Sequence, residues 1–214
     1  MTSNYSAEKR EYLYSSLDRG QMNSNPVVQF EEWLQQAILA GIDLPNAMVL
    51  ATASASGEPT ARYVLLKGVN EQGFVFFGHS VSVKGQHLAE NPRAALVFFW
   101  SPMDRQVRIE GSVEIVAEAE ADEYFNSRPY DSRISAWVAP QSSEVESRQF
   151  LQQRLADLQA EFHDREVPRP EGWIGYRVCP QTIEFWQGRE NRLHDRIIYR
   201  RTANQEWYMQ RLAP

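Results

Sequence analysis

The closing stretch Arg192-Leu193-His194-Asp195-Arg196 places three cationic or protonatable side chains at alternate positions. Side chains alternate between the two faces of a β-strand, so a strand here would put Arg192, His194 and Arg196 on one face. Such groups repel one another unless an anion or a carboxylate lies opposite them. The pattern therefore indicates either an exposed polar strand face or an anion-binding, catalytic wall.

A second pair of cations, Arg62 and Lys67, brackets the apolar segment 63–66. The two residues are five positions apart, so a regular strand directs them to opposite faces. One anion could then meet both only where the strand twists or bulges. The alternative is that each cation extends into solvent from an end of the strand.

Two further stretches could add polar groups to such a site. Tyr124 and Arg128 lie one helical turn apart, and Pro129 would end the helix and bring Ser132 beside them. Gln141-Ser142-Ser143 precedes a predicted helix, whose free N–H groups favour a phosphate. Helix capping alone would explain the same hydroxyl groups.

The order of predicted elements indicates how these residues are positioned. Residues 1–24 are polar and predict a mobile arm, after which Asn25-Pro26 begins a helix that Gly41 ends. Further helices are predicted over 84–89, 118–126, 132–137 and 144–162, the last with Ser143 and Glu146 as a capping box. Strands are predicted over 48–52, 61–67, 74–77, 94–100, 106–116, 174–179, 182–187, 193–200 and 207–212. We therefore expect one mainly β domain over 25–214, an antiparallel barrel with flanking α-helices.

Composition and missing motifs exclude several classes of protein. The chain has 214 residues and a net charge of −6, which argues against a broad nucleic-acid surface. Its single cysteine, Cys179, excludes a disulfide framework, and its four histidines are scattered, so no metal site is expected. No apolar run is long enough to span a membrane, and residues 1–10 are polar, which predicts a cytoplasmic protein.

Several motifs, taken together and in order, resemble the pyridoxine (pyridoxamine) 5′-phosphate oxidase family. The resemblance runs from about Phe30 to Pro214. The motifs that carry it are Arg62-x-x-Leu65-Leu66-Lys67, Arg105-Gln106-Val107, Tyr124-Phe125-x-Ser127-Arg128-Pro129, Ala136-Trp137-Val138, Gln141-Ser142-Ser143, Glu184-Phe185-Trp186-Gln187-Gly188, Arg192-Leu193-His194-Asp195-Arg196 and Arg211-Leu212-Ala213-Pro214.

The resemblance implies a fold, a partner and a reaction. The fold is an FMN-binding split β-barrel that works as a homodimer, with FMN at the subunit interface. The reaction is the oxidation of pyridoxine 5′-phosphate or pyridoxamine 5′-phosphate to pyridoxal 5′-phosphate, a step of vitamin B6 biosynthesis and salvage. O2 accepts the electrons and becomes H2O2, and the amine substrate also releases NH3.

The resemblance also implies roles for individual residues. Those implied to bind FMN are Arg62, Tyr63, Val64, Leu65, Lys67, Phe77, Gly78, Val83, Lys84, Gln106, Gln141, Ser142, Trp186 and Arg196. Those implied to bind the substrate are Tyr12, Lys67, Tyr124, Arg128, Ser132, Arg192 and His194. Arg192 and His194 are also the implied catalytic residues.

The chain departs from the family pattern at Val83, where the family usually has arginine, and at Gly78-His79-Ser80, where the family usually has Thr-Asn. Three other functions remain as alternatives. A related flavin oxidase acting on phenazine precursors has a similar fold, but its Tyr-Arg-Ser set for the substrate phosphate is expected to be incomplete. A non-catalytic carrier of flavin or pyridoxal phosphate is the second alternative, and a structural interaction protein is the third.

Overall fold

The computed structural model describes residues 16–214, which divide into two compact units. The first unit comprises the described part of Met1–Val49 together with Ala95–Glu110 and Pro180–Pro214. The second unit comprises Leu50–Ala94 and Gly111–Cys179. The predictions of a single domain over 25–214 and of a mobile arm over 1–24 stay predictions.

Nine strands in residues 16–214 form one hydrogen-bonded sheet, and five α-helices accompany them. The strands are β1 (Ala47–Ala53), β2 (Pro59–Leu65), β3 (Gly68–Asn70), β4 (Gly73–His79), β5 (Arg93–Trp100), β6 (Arg105–Ile115), β7 (Trp173–Gln187), β8 (Asp195–Arg201) and β9 (Trp207–Leu212). The helices are α1 (Pro26–Leu39), α2 (Val83–Glu90), α3 (Glu118–Ser127), α4 (Tyr130–Ser135) and α5 (Arg148–Glu161). The sheet order is β2-β1-β5-β6-β7-β4-β3, with β8 on β7 and β9 on β8. This confirms the predicted mainly β fold with flanking helices.

The first unit is built on an amphipathic helix and an antiparallel group of strands. Asn25 caps α1 by accepting a hydrogen bond from the Val27 N–H, and Pro26 occupies the first helical position, as predicted. The apolar face of α1 buries Phe30 against Phe98, with ring centroids 4.8 Å apart, and Trp33 against Phe185 at 5.1 Å. The second half of β7 pairs antiparallel with β8, and β8 pairs antiparallel with β9.

Residues 16–24 belong to the first unit and make specific contacts within it. Leu17 is buried, and its N–H donates a hydrogen bond of 3.1 Å to the Asp195 carboxylate. The Tyr199 hydroxyl donates to the carbonyl of Asn23 at 2.6 Å. These contacts fix the approach of the chain to α1.

The second unit holds β3, β4 and the first half of β7. β4 pairs antiparallel with β7, and the register places Phe77 opposite Gly175 and His79 opposite Trp173. A small core of Val75, Val116 and Ala121 packs against Phe77. The end of the helix α5 packs against α4 through Leu158 and Ile134. These contacts position the polar residues described below.

The structure corrects the predicted start of the long helix. Ser147, and not Ser143, caps α5, because its hydroxyl accepts a hydrogen bond of 3.0 Å from the Phe150 N–H. Ser143 instead donates its hydroxyl to the carbonyl of Pro140 at 2.8 Å, and Ser142 has a φ of +71°. A turn therefore occupies residues 140–143, so Gln141-Ser142-Ser143 does not stand at the N-terminus of a helix.

Two predicted strand boundaries were also wrong. The segments 174–179 and 182–187 form the single strand β7, because the fixed φ of Pro180 is compatible with extended backbone. Strand β8 begins at Asp195 and not at Leu193. Residues 190–192 form a 3-10 turn in which Asn191 and Arg192 have φ values of 56° and 62°, and this backbone cannot continue a strand.

Two negative findings concern residues 16–214. No helix in that range combines the length and apolar character that a membrane span requires. The same range holds no group of three or more His, Cys, Asp or Glu side chains that could ligate a metal ion.

Substitution of Gly175 tests how tightly the chain packs around Phe77. A Cβ atom at this position would lie 2.6 Å from Cε1 of Phe77 and would also collide with Val116, so we expect Gly175→Ala to overpack the site. The variant should lose about 1–3 kcal/mol of unfolding free energy, measured by urea denaturation. Gly68→Ala is the matched control, because a Cβ there would meet only the Cβ of Val75 at 3.7 Å. Equal stability of both variants would contradict this account of the packing.

Candidate functional site

The second unit contains an open cavity of about 480 Å³ with a cationic lining. Five of its lining residues are basic, namely Arg62, Lys67, His79, Lys84 and Arg128, and none of the described lining residues is acidic. The others are Tyr63, Val64, Leu65, Phe77, Gly78, Tyr124, Pro129, Ser132, Gln141 and Trp173. Such a lining favours an anionic ligand.

The end of β2 brings Arg62 and Lys67 to the same cavity. The strand ends at Leu65, so Lys67 lies outside it. The prediction that a regular strand directs Arg62 and Lys67 to opposite faces therefore does not apply. The Lys67 N–H instead donates to the carbonyl of Val75 at 2.8 Å, which turns the chain toward β4. Neither a twist nor a bulge within β2 is needed.

Arg62 is held by neutral oxygen atoms. Its Nη1 donates to the hydroxyl of Thr52 at 2.8 Å, and its Nη2 donates to the hydroxyl of Thr60. Burial lowers the pKa of Arg62 from its ordinary value. The guanidinium nevertheless stays charged at neutral pH, because that ordinary value is far above 7.

Lys84 is the most buried cation of the cavity lining, with 6% of its surface exposed. It lies in the first turn of α2, where its Nζ donates to the hydroxyl of Ser82 at 2.9 Å and to Oε1 of Gln141. Burial, and secondly the positive charge of Arg62, lower its pKa to about 8. Gly78 allows the close approach, because a Cβ there would lie 2.7 Å from Cε of Lys84.

The helix α3, the residues after it and α4 supply a second polar group. The helix ends at Ser127, Arg128 is extended, and α4 follows Pro129. Tyr124, Arg128 and Ser132 all line the cavity, as the proline-broken helix predicts. Burial lowers the pKa of Arg128 from its ordinary value.

Aromatic rings form one wall of the cavity. The rings of Phe77, Tyr124 and Trp173 are nearly parallel, with centroids 4.2 Å apart for Phe77 and Tyr124, 5.1 Å for Phe77 and Trp173, and 6.0 Å for Tyr124 and Trp173. The Arg128 guanidinium lies over Trp173 at 5.0 Å, and Nζ of Lys67 lies over Tyr124 at 5.7 Å. Cations are therefore held against ring faces on this wall.

Trp173, His79 and Pro129 line the cavity but were not predicted as site residues. Trp173 and His79 are register partners on β7 and β4, and strand register could not be read from local sequence. His79 donates from Nε2 to the carbonyl of Ala136 at 3.1 Å. Burial above all, with the charges of Lys84 and Arg128, lowers its pKa, although the Ala136 bond opposes this shift.

Several predicted site residues do not line this cavity. Val83 is 42% exposed, and Ser142 is exposed in the 140–143 turn. Tyr12 lies outside the described residues. Gln106, Trp186, Arg192, His194 and Arg196 belong to the first unit.

The first unit does not arrange its three cations on one strand face. Arg192 is in the 3-10 turn and His194 precedes β8, so only Arg196 lies on the strand, and the predicted shared face is wrong. The ring of His194 lies 4.8 Å from that of Trp186. Its Nδ1 accepts a hydrogen bond from the Arg189 N–H at 3.1 Å, so the neutral ring carries its proton on Nε2.

Arg196 is fixed by a buried carboxylate. Its Nε and Nη2 donate to the two oxygens of Glu184 at 2.8 and 3.1 Å, and its Nη1 donates to the carbonyl of Ala213. The hydrogen bond to Glu184 raises the pKa of Arg196. Its orientation is thus set by a bidentate pair.

Most of the chain matches two family models. Residues 34–161 match the family described as pyridoxamine 5′-phosphate oxidase. Residues 173–214 match the pyridoxine 5′-phosphate oxidase C-terminal dimerisation region, which supports a homodimer.

Similar proteins are found among curated sequences. A pyridoxine/pyridoxamine 5′-phosphate oxidase of Cyanothece sp. is 51% identical over 214 residues, which cover 100% of both chains. A protein of the same name from Burkholderia thailandensis is 50% identical over 208 residues, covering 96% of this chain and 97% of that one.

Similar folds are found among solved structures. PhzG from Burkholderia lata 383, in complex with tetrahydrophenazine-1-carboxylic acid, has a TM-score of 0.88 and 30% identity, covering 93% of this chain and 98% of that chain. A pyridoxamine 5′-phosphate oxidase-related, FMN-binding protein from Nostoc punctiforme has a TM-score of 0.72 and 15% identity, covering 90% and 100%, and shows the fold alone. These neighbours confirm the predicted split-barrel fold, and with the sequence matches they show that the chain belongs to the pyridoxine (pyridoxamine) 5′-phosphate oxidase family.

Proposed function

We propose that this protein is an FMN-dependent oxidase that converts pyridoxine 5′-phosphate or pyridoxamine 5′-phosphate to pyridoxal 5′-phosphate. O2 accepts the electrons and becomes H2O2, and the amine substrate also releases NH3. The observation that carries the proposal is the cavity of the second unit, which gathers five basic side chains with no acidic residue among its described lining. FMN and the substrate both carry a phosphate, which such a lining would bind.

The residues present fit FMN. Lys84 is buried with neutral hydrogen-bond partners, and Gly78 leaves open the space that a Cβ would fill beside it. Arg62, Lys84 and Gln141 would hold the cofactor from the second unit. Further residues are implied to bind FMN by the family resemblance alone, namely Tyr63, Val64, Leu65, Lys67, Phe77, Val83, Gln106, Ser142, Trp186 and Arg196.

Tyr124, Arg128 and Ser132, with Lys67, would hold the substrate phosphate. This set contributes two cations and two hydroxyl groups, which matches a phosphate dianion. Binding energy from the phosphate, which does not react, can fix the reacting carbon in place. FMN, when bound, would supply the acceptor for a hydride from the C4′ carbon and return the electrons to O2.

Arg192 and His194 would bind the pyridine ring and its polar substituents, a role that rests on the family resemblance. Because Nδ1 of His194 accepts the Arg189 N–H, the neutral imidazole offers an N–H donor at Nε2. We therefore assign His194 the role of a hydrogen-bond donor to the substrate. Tyr12 stays in the proposal as a lid residue on the same resemblance.

We further propose that the protein acts as a homodimer with FMN at the subunit interface. The match of residues 173–214 to a dimerisation region supports the dimer. The interface position of FMN rests on the family resemblance.

A phenazine-forming oxidase is the second candidate, and the similarity to PhzG favours it. The presence of Tyr124, Arg128 and Ser132 around one cavity argues for a phosphorylated substrate instead. A carrier of flavin or pyridoxal phosphate would bind the same ligands without turnover.

Turnover by the purified protein tests the proposed function. The protein should be yellow, should release FMN on denaturation, and should produce one H2O2 for each pyridoxal 5′-phosphate formed from pyridoxine 5′-phosphate. Unphosphorylated pyridoxine serves as the control substrate and should react poorly. FMN without turnover would indicate a carrier, turnover of tetrahydrophenazine-1-carboxylic acid alone would indicate the second candidate, and absence of flavin would overturn the proposal.

Gly78→Ala tests the placement of Lys84. A Cβ at this position would displace the flexible end of Lys84, which costs the fold little but moves the cation. We expect the dissociation constant for FMN, measured by fluorescence quenching, to rise about tenfold, or about 1.4 kcal/mol. The unfolding free energy should stay within about 1 kcal/mol of wild type. Unchanged FMN affinity would contradict the assignment of Lys84, and Gly68→Ala is again the control.

The pH dependence of FMN binding also depends on Lys84. Its pKa is lowered to about 8, so its positive charge is present below that pH and is lost as the pH rises through it. Bound phosphate favours the charged form, so FMN affinity should fall by about tenfold between pH 7.5 and 9.5. The FMN phosphate is already dianionic throughout this range.

Lys84→Gln is the control for that profile. It should bind FMN more weakly at pH 7.5 and lose the decline above pH 8, because the titrating group is gone. A wild-type profile without the decline, or the same decline in Lys84→Gln, would refute the role of Lys84.

A further inference from the structure

Arg128 is held differently from the arginines that form ion pairs. Arg177 in the same unit is paired with Glu114 at 3.1 Å and Glu120 at 2.7 Å. Within residues 16–214 Arg128 has no ion pair, and its buried Nη1 has no hydrogen-bond partner. Its guanidinium lies instead over Trp173 at 5.0 Å and over Phe125 at 5.4 Å from the ring centroids.

Trp173 is a rigid support for that guanidinium. Its side chain is buried, and its ring is stacked on Phe77 with an interplanar angle of 7° and packed edge-on against Phe125 at 5.0 Å. Its backbone is fixed as well, because its carbonyl accepts Nη1 of Arg169 at 2.9 Å and its N–H donates to Pro170 at 2.9 Å. The indole therefore has little freedom to move.

Support by ring faces leaves the charge of Arg128 available. A carboxylate partner would neutralise the guanidinium and compete with an incoming phosphate for its N–H groups. An aromatic face attracts the cation and fixes its plane, yet it occupies none of the five N–H donors. Arg128 lines the cavity, so the guanidinium N–H groups that face the cavity are left for a ligand.

We propose that Trp173 is a positioning residue, which orients the Arg128 guanidinium for the phosphate of the substrate. The inference rests on the proposed function, because it takes the substrate phosphate to be the ligand of Arg128. It assigns Trp173 no contact with the substrate itself. Its effect is on phosphate binding and not on the oxidation step.

The test compares Trp173→Met, which removes the ring, with Trp173→Phe, which keeps a smaller one. Binding of inorganic phosphate to FMN-saturated protein is measured by calorimetry, and KM and kcat for pyridoxine 5′-phosphate are measured in parallel. We expect the Met variant to raise both the phosphate dissociation constant and KM about tenfold, with kcat and FMN affinity within about twofold of wild type. The Phe variant should have a phosphate dissociation constant and a KM between those of wild type and the Met variant.

A double-mutant cycle separates positioning of Arg128 from a general structural effect. Arg128→Ala should raise the phosphate dissociation constant at least as much as Trp173→Met, and combining the two should add little to Arg128→Ala alone. Trp207→Leu is the matched control, because it removes a ring under Arg201, at 4.8 Å, in the first unit. It should leave phosphate binding unchanged.

Specific outcomes would overturn the inference. One is a phosphate dissociation constant that is unchanged in Trp173→Met. Another is a change in Trp173→Met that is confined to kcat or to FMN affinity. The third is a double variant in which the effects of Trp173→Met and Arg128→Ala on phosphate binding are fully additive. If the Met variant does not fold, the Phe variant decides. A phosphate dissociation constant between those of wild type and Arg128→Ala supports the role, and a constant equal to that of wild type refutes it. Because phosphate binding needs no turnover, failure of the proposed function with intact phosphate binding is a separate result.

Discussion

The cavity depends on burying cations without giving them carboxylate partners. Removing a charge from water is costly, and burial lowers the pKa of Arg62, Lys84 and Arg128. Each cation is instead supported by neutral groups, which leave its charge available to a ligand. The threonine hydroxyls hold Arg62, Ser82 and Gln141 hold Lys84, and ring faces hold Arg128. Small residues and turns in this unit, such as Gly78 and the 140–143 segment, are arranged so that these supports can approach.

Arg196 and Arg211 of the first unit are held by carboxylates instead. Arg196 is paired in a bidentate manner with the buried Glu184, and Arg211 is paired with Asp195, which also accepts the Leu17 N–H. Carboxylate pairs fix the direction of a guanidinium firmly, but they neutralise it locally. The two ways of holding arginine thus differ in whether a carboxylate already neutralises the charge.

Much of the secondary structure could be predicted, because its signals are local. Asn25-Pro26 and the apolar spacing through Ala37 identify α1, and alternating segments identify most strands within two residues. The errors arose where competing local interactions looked alike in sequence. Ser143 and Ser147 are both of a type that caps helices, and the structure decides between them: Ser147 accepts the Phe150 N–H, whereas Ser143 donates to Pro140. Likewise Arg192 and His194 have strand-like spacing, but a left-handed turn precedes β8.

The sequence by itself determined the family, the fold class and the types of residue available to bind a phosphate, because these follow from ordered motifs and composition. Only the tertiary structure decided which of those residues share a cavity and how each is held. Lys67 joins Arg62 because β2 ends early, and Trp173 joins the site through its register with His79 on the neighbouring strand. Register and the ends of strands depend on packing between distant segments. Local sequence does not contain that information, so the support of Arg128 by an aromatic ring became visible only in three dimensions.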